Sequence, residues 1–193
     1  MITKRWTVVV LLMALSLLFA ATAMADQRDK ATKVTFNTPV ETPAGVLPPG
    51  TYTFTVMPDS DRNIVQIWNE DRTKLVGTFL TVPDYRPETP DKPIVMFEKS
   101  STSDAPALKA WFYPGEQYGR TFVYPKSKAT ELAKRNNQNV LSMPDASASN
   151  MSKPAQSAQD APVAALEIVI VKAIKPSGEE VDKDQAVQSQ PNR

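Results

Sequence analysis

Thr51-Tyr52-Thr53-Phe54-Thr55-Val56 is the stretch that decides the fold, because apolar and polar side chains alternate along its whole length. In a β-strand this period of two puts Tyr52, Phe54 and Val56 on one face and the three threonines on the other. The preceding Pro48-Pro49-Gly50 is typical of a turn, since proline presets φ and glycine admits positive φ. We therefore predict a half-buried strand that begins directly after this turn.

Further short runs of β-prone residues occur at near-regular spacing on both sides of this strand. They are Lys33 to Phe36, Asn63 to Trp68, Leu75 to Val82, Pro93 to Lys99, Ala107 to Tyr113 and Arg120 to Tyr124. Between them lie sequences rich in Asp, Asn, Ser, Gly and Pro, which favour turns. About seven short strands predict an all-β fold, an antiparallel β-sandwich or, as the alternative, a partly open barrel.

One short helix is predicted after the last main strand, from about Ser127 to Asn137. Ala129, Leu132 and Ala133 fall on one face at helical spacing, and the Ser127 hydroxyl is the expected N-cap. With the strands, this helix completes a β-rich globular domain over residues 26–144.

The composition changes after residue 144 to Ser, Ala, Asn, Gln and Pro, with few large apolar side chains. Such a segment buries too little apolar surface to offset the entropy lost on ordering. Residues 145–164 are therefore predicted to be a flexible low-complexity linker. The polar end, residues 182–193, is predicted to be a disordered tail.

Residues 165–181 are predicted to form a C-terminal β segment, because Leu166 to Lys172 is the most β-prone run after the leader. An exposed run of this kind invites strand pairing. It either adds a strand to the sheet of its own molecule or pairs, through Leu166, Ile168 and Ile170, with a partner or another copy.

Residues 1–25 have the three parts of a cleavable secretory signal peptide. Lys4 and Arg5 give a positive start, Trp6 to Phe19 is almost wholly apolar, and Ala23-Met24-Ala25 is the expected cleavage site. We expect a periplasmic or extracellular protein without stable membrane insertion after cleavage. Because no cysteine follows the leader, a lipid anchor is not expected.

The chain contains no histidine and no cysteine, which excludes Ser-His-Asp and Cys-His catalytic sites and the usual zinc ligand sets. We expect no metal and no cofactor. Loss of Lys4 and Arg5 with the signal leaves 20 of the 22 basic residues against 21 acidic ones, a net charge of −1. That balance excludes nucleic acid as an expected partner.

Aromatic side chains are the remaining candidates for a binding site. Strand alternation sends Trp111 and Tyr113 to one face of their strand, and this face is either core or an open platform. An open platform, with Trp68 or Tyr118 added and Tyr85 at its rim, would stack on sugar rings or contact a protein.

Carboxylates could still support glycoside hydrolysis, which needs two of them at a suitable separation. Nearly all the acidic residues lie in turn sequences, where a solvated side chain is the expected role. Glu98 differs because it ends a strand beside Lys99, and we expect an exposed ion pair there.

Four stretches carry a resemblance: Gly45 to Tyr52, Ala110 to Gly115, Tyr118-Gly119 and Phe122 to Lys126. Together they resemble a group of small, functionally uncharacterised secreted bacterial β-rich proteins. The likeness covers about residues 34–144. It implies export and a single β-rich domain, and it implies no catalytic residue.

The sequence thus predicts a secreted or periplasmic, non-enzymatic binding or structural module for an unknown protein or glycan. One alternative is a His-free hydrolase that uses carboxylates, as glycosidases do. Another is an envelope protein that self-associates through its C-terminal strand. We expect a monomer or a weak homo-oligomer.

Overall fold

The computed structural model describes residues 30–57, 60, 63–98, 105–157 and 159–184. Its thirteen strands are β1 Ala31–Phe36, β2 Val40–Thr42, β3 Gly45–Leu47, β4 Gly50–Val56, β5 Asn63–Asn69, β6 Leu75–Tyr85, β7 Ile94–Phe97, β8 Leu108–Phe112, β9 Tyr118–Phe122, β10 Tyr124–Pro125, β11 Val140–Met143, β12 Lys172–Ile174 and β13 Glu180–Asp182. The helices are α1 Lys126–Asn136, α2 Ala161–Glu167 and a 3₁₀ helix, Asp145–Asn150. The predicted signal peptide, residues 1–25, lies outside the described residues.

Seven strands form one antiparallel sheet in the order β1-β4-β5-β6-β9-β8-β7, and this sheet curls into a half-barrel. The predicted strand Thr51 to Val56 is the greater part of β4, which pairs with β1 on one side and β5 on the other. The prediction of an all-β antiparallel fold is confirmed. Of the two forms considered, the curled sheet corresponds to the partly open barrel.

The concave face of the half-barrel holds an aromatic core. Phe54 lies across the barrel from Trp111, with ring centroids 5.8 Å apart, and 6.4 Å from Phe122. Phe122 in turn contacts Phe79 at 5.8 Å. These four side chains are almost wholly buried. The alternation in β4 therefore predicted the core face correctly. The strand is not half-buried as predicted, because Thr53 and Thr55 on the other face are buried as well.

A second sheet, in the order β10-β11-β12-β13, lies beside α1. The helix covers the predicted range to within one residue and buries Ala129, Leu132 and Ala133, as its spacing predicted. The predicted N-cap is wrong, because Ser127 lies inside the first turn. Its backbone N–H and its hydroxyl both donate to Asp145 Oδ1, each at 2.9 Å, so the cap comes from a residue beyond the helix.

The prediction of a flexible linker over residues 145–164 is wrong for the part of this segment that the structure describes. Met151, Ala155 and Val163 of this segment are buried in the common core. The main chain also binds the sheet: Thr78 N–H donates to Met151 O at 2.8 Å, and the Gln66 side-chain amide donates to Ala155 O at 2.8 Å. These bonds cover part of β6 that β9 does not pair.

The predicted C-terminal β segment over residues 165–181 contains β12 and begins β13, but the run Leu166 to Val171 is not part of a strand. Leu166 belongs to α2 and is buried, Ile168 follows the helix, and Ile170 precedes β12. The helix forms because alanine favours it and Pro162 lies in the first turn, where a missing N–H costs nothing. The pairing strand is Lys172–Ile174, which joins the second sheet of its own molecule through β11.

The predicted disordered tail, residues 182–193, lies mostly outside the described residues, although Asp182 ends β13. Within the described part of the chain, no helix has the length and apolar character needed to span a bilayer.

Candidate functional site

A cleft of about 650 Å³ opens at one end of the half-barrel. The strand register puts the start of β1, the end of β6 and the start of β9 at this end. Lys30, Glu116, Gln117, Tyr118 and Arg120 contribute its polar and aromatic lining. Small-molecule sites commonly occupy such a position at the mouth of a barrel, and their volumes fall in this range.

Two tyrosines, Tyr118 in the cleft lining and Tyr85 in contact with it, form what we call the tyrosine rim. Tyr85 ends β6 and Tyr118 begins β9, and the two are direct partners in the antiparallel register. Their ring centroids are 5.6 Å apart with an interplanar angle of 56°. Although they contact each other, the tyrosines remain 54% and 59% exposed. They therefore offer aromatic surface that the fold itself does not use.

Arg120 lies deeper on the same face as Tyr118. It is two residues from Tyr118 and two from Phe122, and its register partners are Pro83 and Trp111. Side chains of such partners share one face of the sheet, so Arg120 lies between the tyrosine rim and the buried aromatic core. Burial lowers the pKa of Arg120, and the charge of Glu116 opposes this effect. The guanidinium nonetheless stays charged, as arginine does throughout the physiological range.

An ion pair spans the open side of the half-barrel beside the cleft. Lys30 precedes β1, and its Nζ lies 2.6 Å from Glu116 Oε1 in the turn between β8 and β9. The main chain of that turn is fixed further by Gly115 N–H, which donates to Pro90 O at 2.8 Å. The cleft wall is therefore held by contacts from three separate parts of the chain.

The structure separates the aromatic residues that the sequence grouped together. Trp111 is 1% exposed, and Tyr113 packs against it edge to face at 6.3 Å, so this face of β8 is core. Trp68 pairs with Leu75 at the far end of β6, roughly 33 Å along the strand from Tyr85. Of the predicted ligand-binding residues, only Tyr118 lines the cleft, and Tyr85 contacts Tyr118.

Arg120 and Lys30 were not among the residues predicted for a site. A signal for Arg120 does exist in the sequence, because Tyr118, Arg120 and Phe122 alternate on one strand face. An arginine between two aromatic residues on a core-facing stripe is unusual and therefore informative. Lys30 has no such signal, since its place at the cleft depends on how the sheet curls.

Two carboxylates outside the cleft, Glu98 and Glu41, have little exposed side chain and are held in ion pairs. Glu98 is buried rather than exposed, and its Oε2 lies 3.6 Å from Lys109 Nζ. Glu41 contacts Lys128 Nζ at 2.5 Å and Arg135 Nη2 at 2.8 Å. Burial raises the pKa of Glu41, but hydrogen bonds and charge from the two cations outweigh it, so the net shift is downward. A carboxyl held ionised in this way is unsuited to act as a general acid.

Among the described residues, no group of three or more acidic side chains is arranged to hold a metal ion. The strand-pairing residues predicted at the C-terminus do not reach the cleft, and Ile168 is 83% exposed on a segment that is not a strand. Comparisons of the chain with models of protein families, with curated proteins and with solved structures found no match.

Proposed function

We propose that this protein is a non-enzymatic binding module, exported to the periplasm or the extracellular space, whose ligand is a glycan. The observation that carries the proposal is the exposed pair Tyr85 and Tyr118 at the rim of a cleft with charged groups inside it. Aromatic rings present a flat apolar face with a polar tip, which suits a sugar ring edged by hydroxyls. Gln117 and Glu116 add polar groups for those hydroxyls.

A small ligand fits this concave surface better than a protein does. A stable protein interface buries about 800 Å² on each partner, with several aromatic or apolar anchors. The exposed large apolar side chains of the described chain are dispersed over distant elements: Val46, Tyr85, Tyr118, Ile168 and Ile170. Tyr85 and Tyr118 contact each other, and Ile168 and Ile170 lie elsewhere, between α2 and β12, so each such surface is small and local.

The residues that line the cleft favour ligand binding over glycoside hydrolysis. Glu116 is the only carboxylate among the described residues that line it, and it is already paired with Lys30. Hydrolysis with two carboxyls requires a second one about 5 to 10 Å away. Self-association through Leu166 to Lys172 loses its basis because these residues do not form the strand on which it depended.

The proposal is tested with the full-length chain, expressed with its leader and purified from the periplasmic fraction. An intact mass that begins at Asp26 would support export with cleavage after Ala25, whereas retention in the cytoplasm would contradict it. The purified protein is then applied to an array of soluble oligosaccharides, and the strongest hit is titrated by calorimetry.

We expect Tyr118→Ala to weaken the affinity for that hit about tenfold, because an exposed aromatic anchor is lost. Val46→Ala is the matched control, since Val46 is equally exposed but lies in the β2-β3 hairpin. A protein that binds no saccharide, or whose affinity is the same in Tyr118→Ala, would refute the glycan proposal.

A further inference from the structure

We propose that the cleft recognises an anionic ligand, and that Arg120 binds the carboxylate of an acidic saccharide such as a uronic acid. This inference rests on the proposed glycan function and assigns the chemical class of the glycan. Its evidence is separate from the tyrosine rim, because it comes from the hydrogen bonding and charge of one half-buried side chain.

Within the described part of the protein, few of the N–H donors of Arg120 make a hydrogen bond. A guanidinium carries five N–H donors and no acceptor. The hydrogen bond that Arg120 makes runs from Nη1 to the carbonyl oxygen of its own neighbour, Gly119, at 3.1 Å. Its Nε is buried and has no hydrogen-bond partner. Buried donors are almost always satisfied, so an unsatisfied one beside a cleft indicates a group that the ligand supplies.

The charge of Arg120 is also uncompensated by close contact. Glu116 is the carboxylate in the lining, and its Oε1 is taken by Lys30 Nζ at 2.6 Å. Lys30 and Glu116 neutralise each other, so the lining keeps the positive charge of Arg120. The direction of the pKa shift agrees, since burial lowers the pKa of Arg120 by more than Glu116 restores. An incoming anion would offset that burial.

The neighbours of Arg120 define the shape of the ligand. Pro83 and Trp111 are the register partners of Arg120, and Pro83 adds apolar surface to the cleft lining. Tyr118, two residues away on the same face, is open to solvent. A ligand that reaches both therefore places a carboxylate inward, where the planar guanidinium matches it, and a ring outward against the tyrosine.

The test compares trigalacturonate with its fully methyl-esterified form, in which a methyl group removes the charge of each carboxylate. Calorimetry on the wild-type protein should give an affinity about tenfold higher for the acid, as expected for a hydrogen bond to a charged group. In Arg120→Gln the affinity for the acid should fall to that for the ester, and the affinity for the ester should not change. Lys33→Gln, an exposed cation paired with Glu70, is the control that should keep the preference.

Each outcome decides between the two proposals. Equal affinity for acid and ester in the wild type would overturn the anion inference and leave the glycan function standing. Binding of neither probe would also overturn the anion inference, whereas the glycan function falls only if no saccharide of the array binds. If Arg120→Gln loses affinity for the acid while Tyr118→Ala does not, the anion inference stands and sugar stacking on the tyrosine is refuted.

A second measurement does not depend on whether a variant folds. The side-chain Nε–Hε signal of Arg120 in a nitrogen-15 spectrum should shift on addition of trigalacturonate and stay in place with the ester. This measurement uses the wild-type chain, so it needs no variant to fold. If the Arg120 signal does not shift at a saturating concentration of trigalacturonate, the inference is overturned.

Discussion

At the scale of single residues, Gly119 shows how tightly the convex face of the sheet is built. Phe112 is the register partner of Gly119, and its ring lies against Gly119. The Arg86 guanidinium lies over the same ring, 5.3 Å from its centroid. A β-carbon on Gly119 would meet the Phe112 ring at 2.5 Å. The ring is wholly buried although it points away from the main core.

Gly119→Ala should therefore destabilise the protein by about 1 to 3 kcal/mol, the usual cost of overpacking. Chemical denaturation measures this change. The cause is steric, so Phe112→Leu should recover much of the loss in the double variant, as a double-mutant cycle would show. If the two substitutions were additive, the ring contact would not be the source of the cost.

Glu41 gives a second prediction at this scale, which concerns pH. Its folded-state pKa lies below the ordinary value of 4.5 because Lys128 and Arg135 outweigh the effect of burial. The stabilisation is thus complete above about pH 4.5 and is lost as pH falls through the lower folded value. Wild-type unfolding free energy should decline over that acidic range.

Glu41→Gln should cost about 1 to 3 kcal/mol at pH 7 and flatten this part of the pH profile. Glu70→Gln is the control, because Glu70 is an exposed partner of Lys33 and should change stability little. Denaturation curves at a series of pH values test both variants. An unchanged slope in Glu41→Gln would show that other carboxyls govern acid unfolding.

At the scale of elements, the strands were predictable and the C-terminal helices were not. The alternation in Thr51 to Val56 is a local property, and burial of one face follows from it wherever the strand lies. In Ala161–Glu167, by contrast, alanine and a first-turn proline favour a helix, while the β-branched run that follows favours a strand. Packing against the sheet selects the helix over the strand. Because composition carries no information about packing, the helix could not be predicted from it.

The same reasoning explains what could be predicted of the candidate site. Tyr85 and Tyr118 stand beside turn sequences, so their exposure was a reasonable expectation. Trp111 lies on a strand whose two faces are both buried, and the curl of the sheet determines this. The approach of Lys30 to Glu116 joins residues far apart in the chain, which no local pattern records.

Leu166 and Ile168 provide a direct test of the C-terminal helix. They are alike in size, yet Leu166 is buried and Ile168 is 83% exposed. Leu166→Ala should cost about 2 to 5 kcal/mol, whereas Ile168→Ala should change the unfolding free energy by less than about 0.5 kcal/mol. A strand would place both residues on one face, so equal effects would contradict the helix.

At the scale of the whole molecule, the sheet depends on the chain beyond Pro144. Met151, Val163 and Leu166 belong to the same hydrophobic core as the half-barrel. β12 and β13 also complete the second sheet. The protein is therefore one folding unit over its described length, and it forms without disulfides because the sequence has no cysteine.

A chain that ends at Pro144 should lose its cooperative thermal transition and should aggregate on size-exclusion chromatography. The reason is that the truncation exposes core surface and leaves the Thr78 N–H without its partner. The control ends at Asp184, which keeps every described element, and it should elute and unfold like the intact chain. A stable monomer after truncation at Pro144 would show that the C-terminal layer is dispensable.

The burial of Trp111 beneath Arg120 has a spectroscopic consequence. Removal of the predicted leader takes Trp6 with it, and of the three indoles in the sequence it leaves Trp68 and Trp111. Trp111 lies in the apolar interior as the register partner of Arg120, whereas Trp68 sits at the distant end of β6. Fluorescence of the Trp68→Phe variant would come from one indole next to the cleft, so the molecule carries its own optical reporter of occupancy.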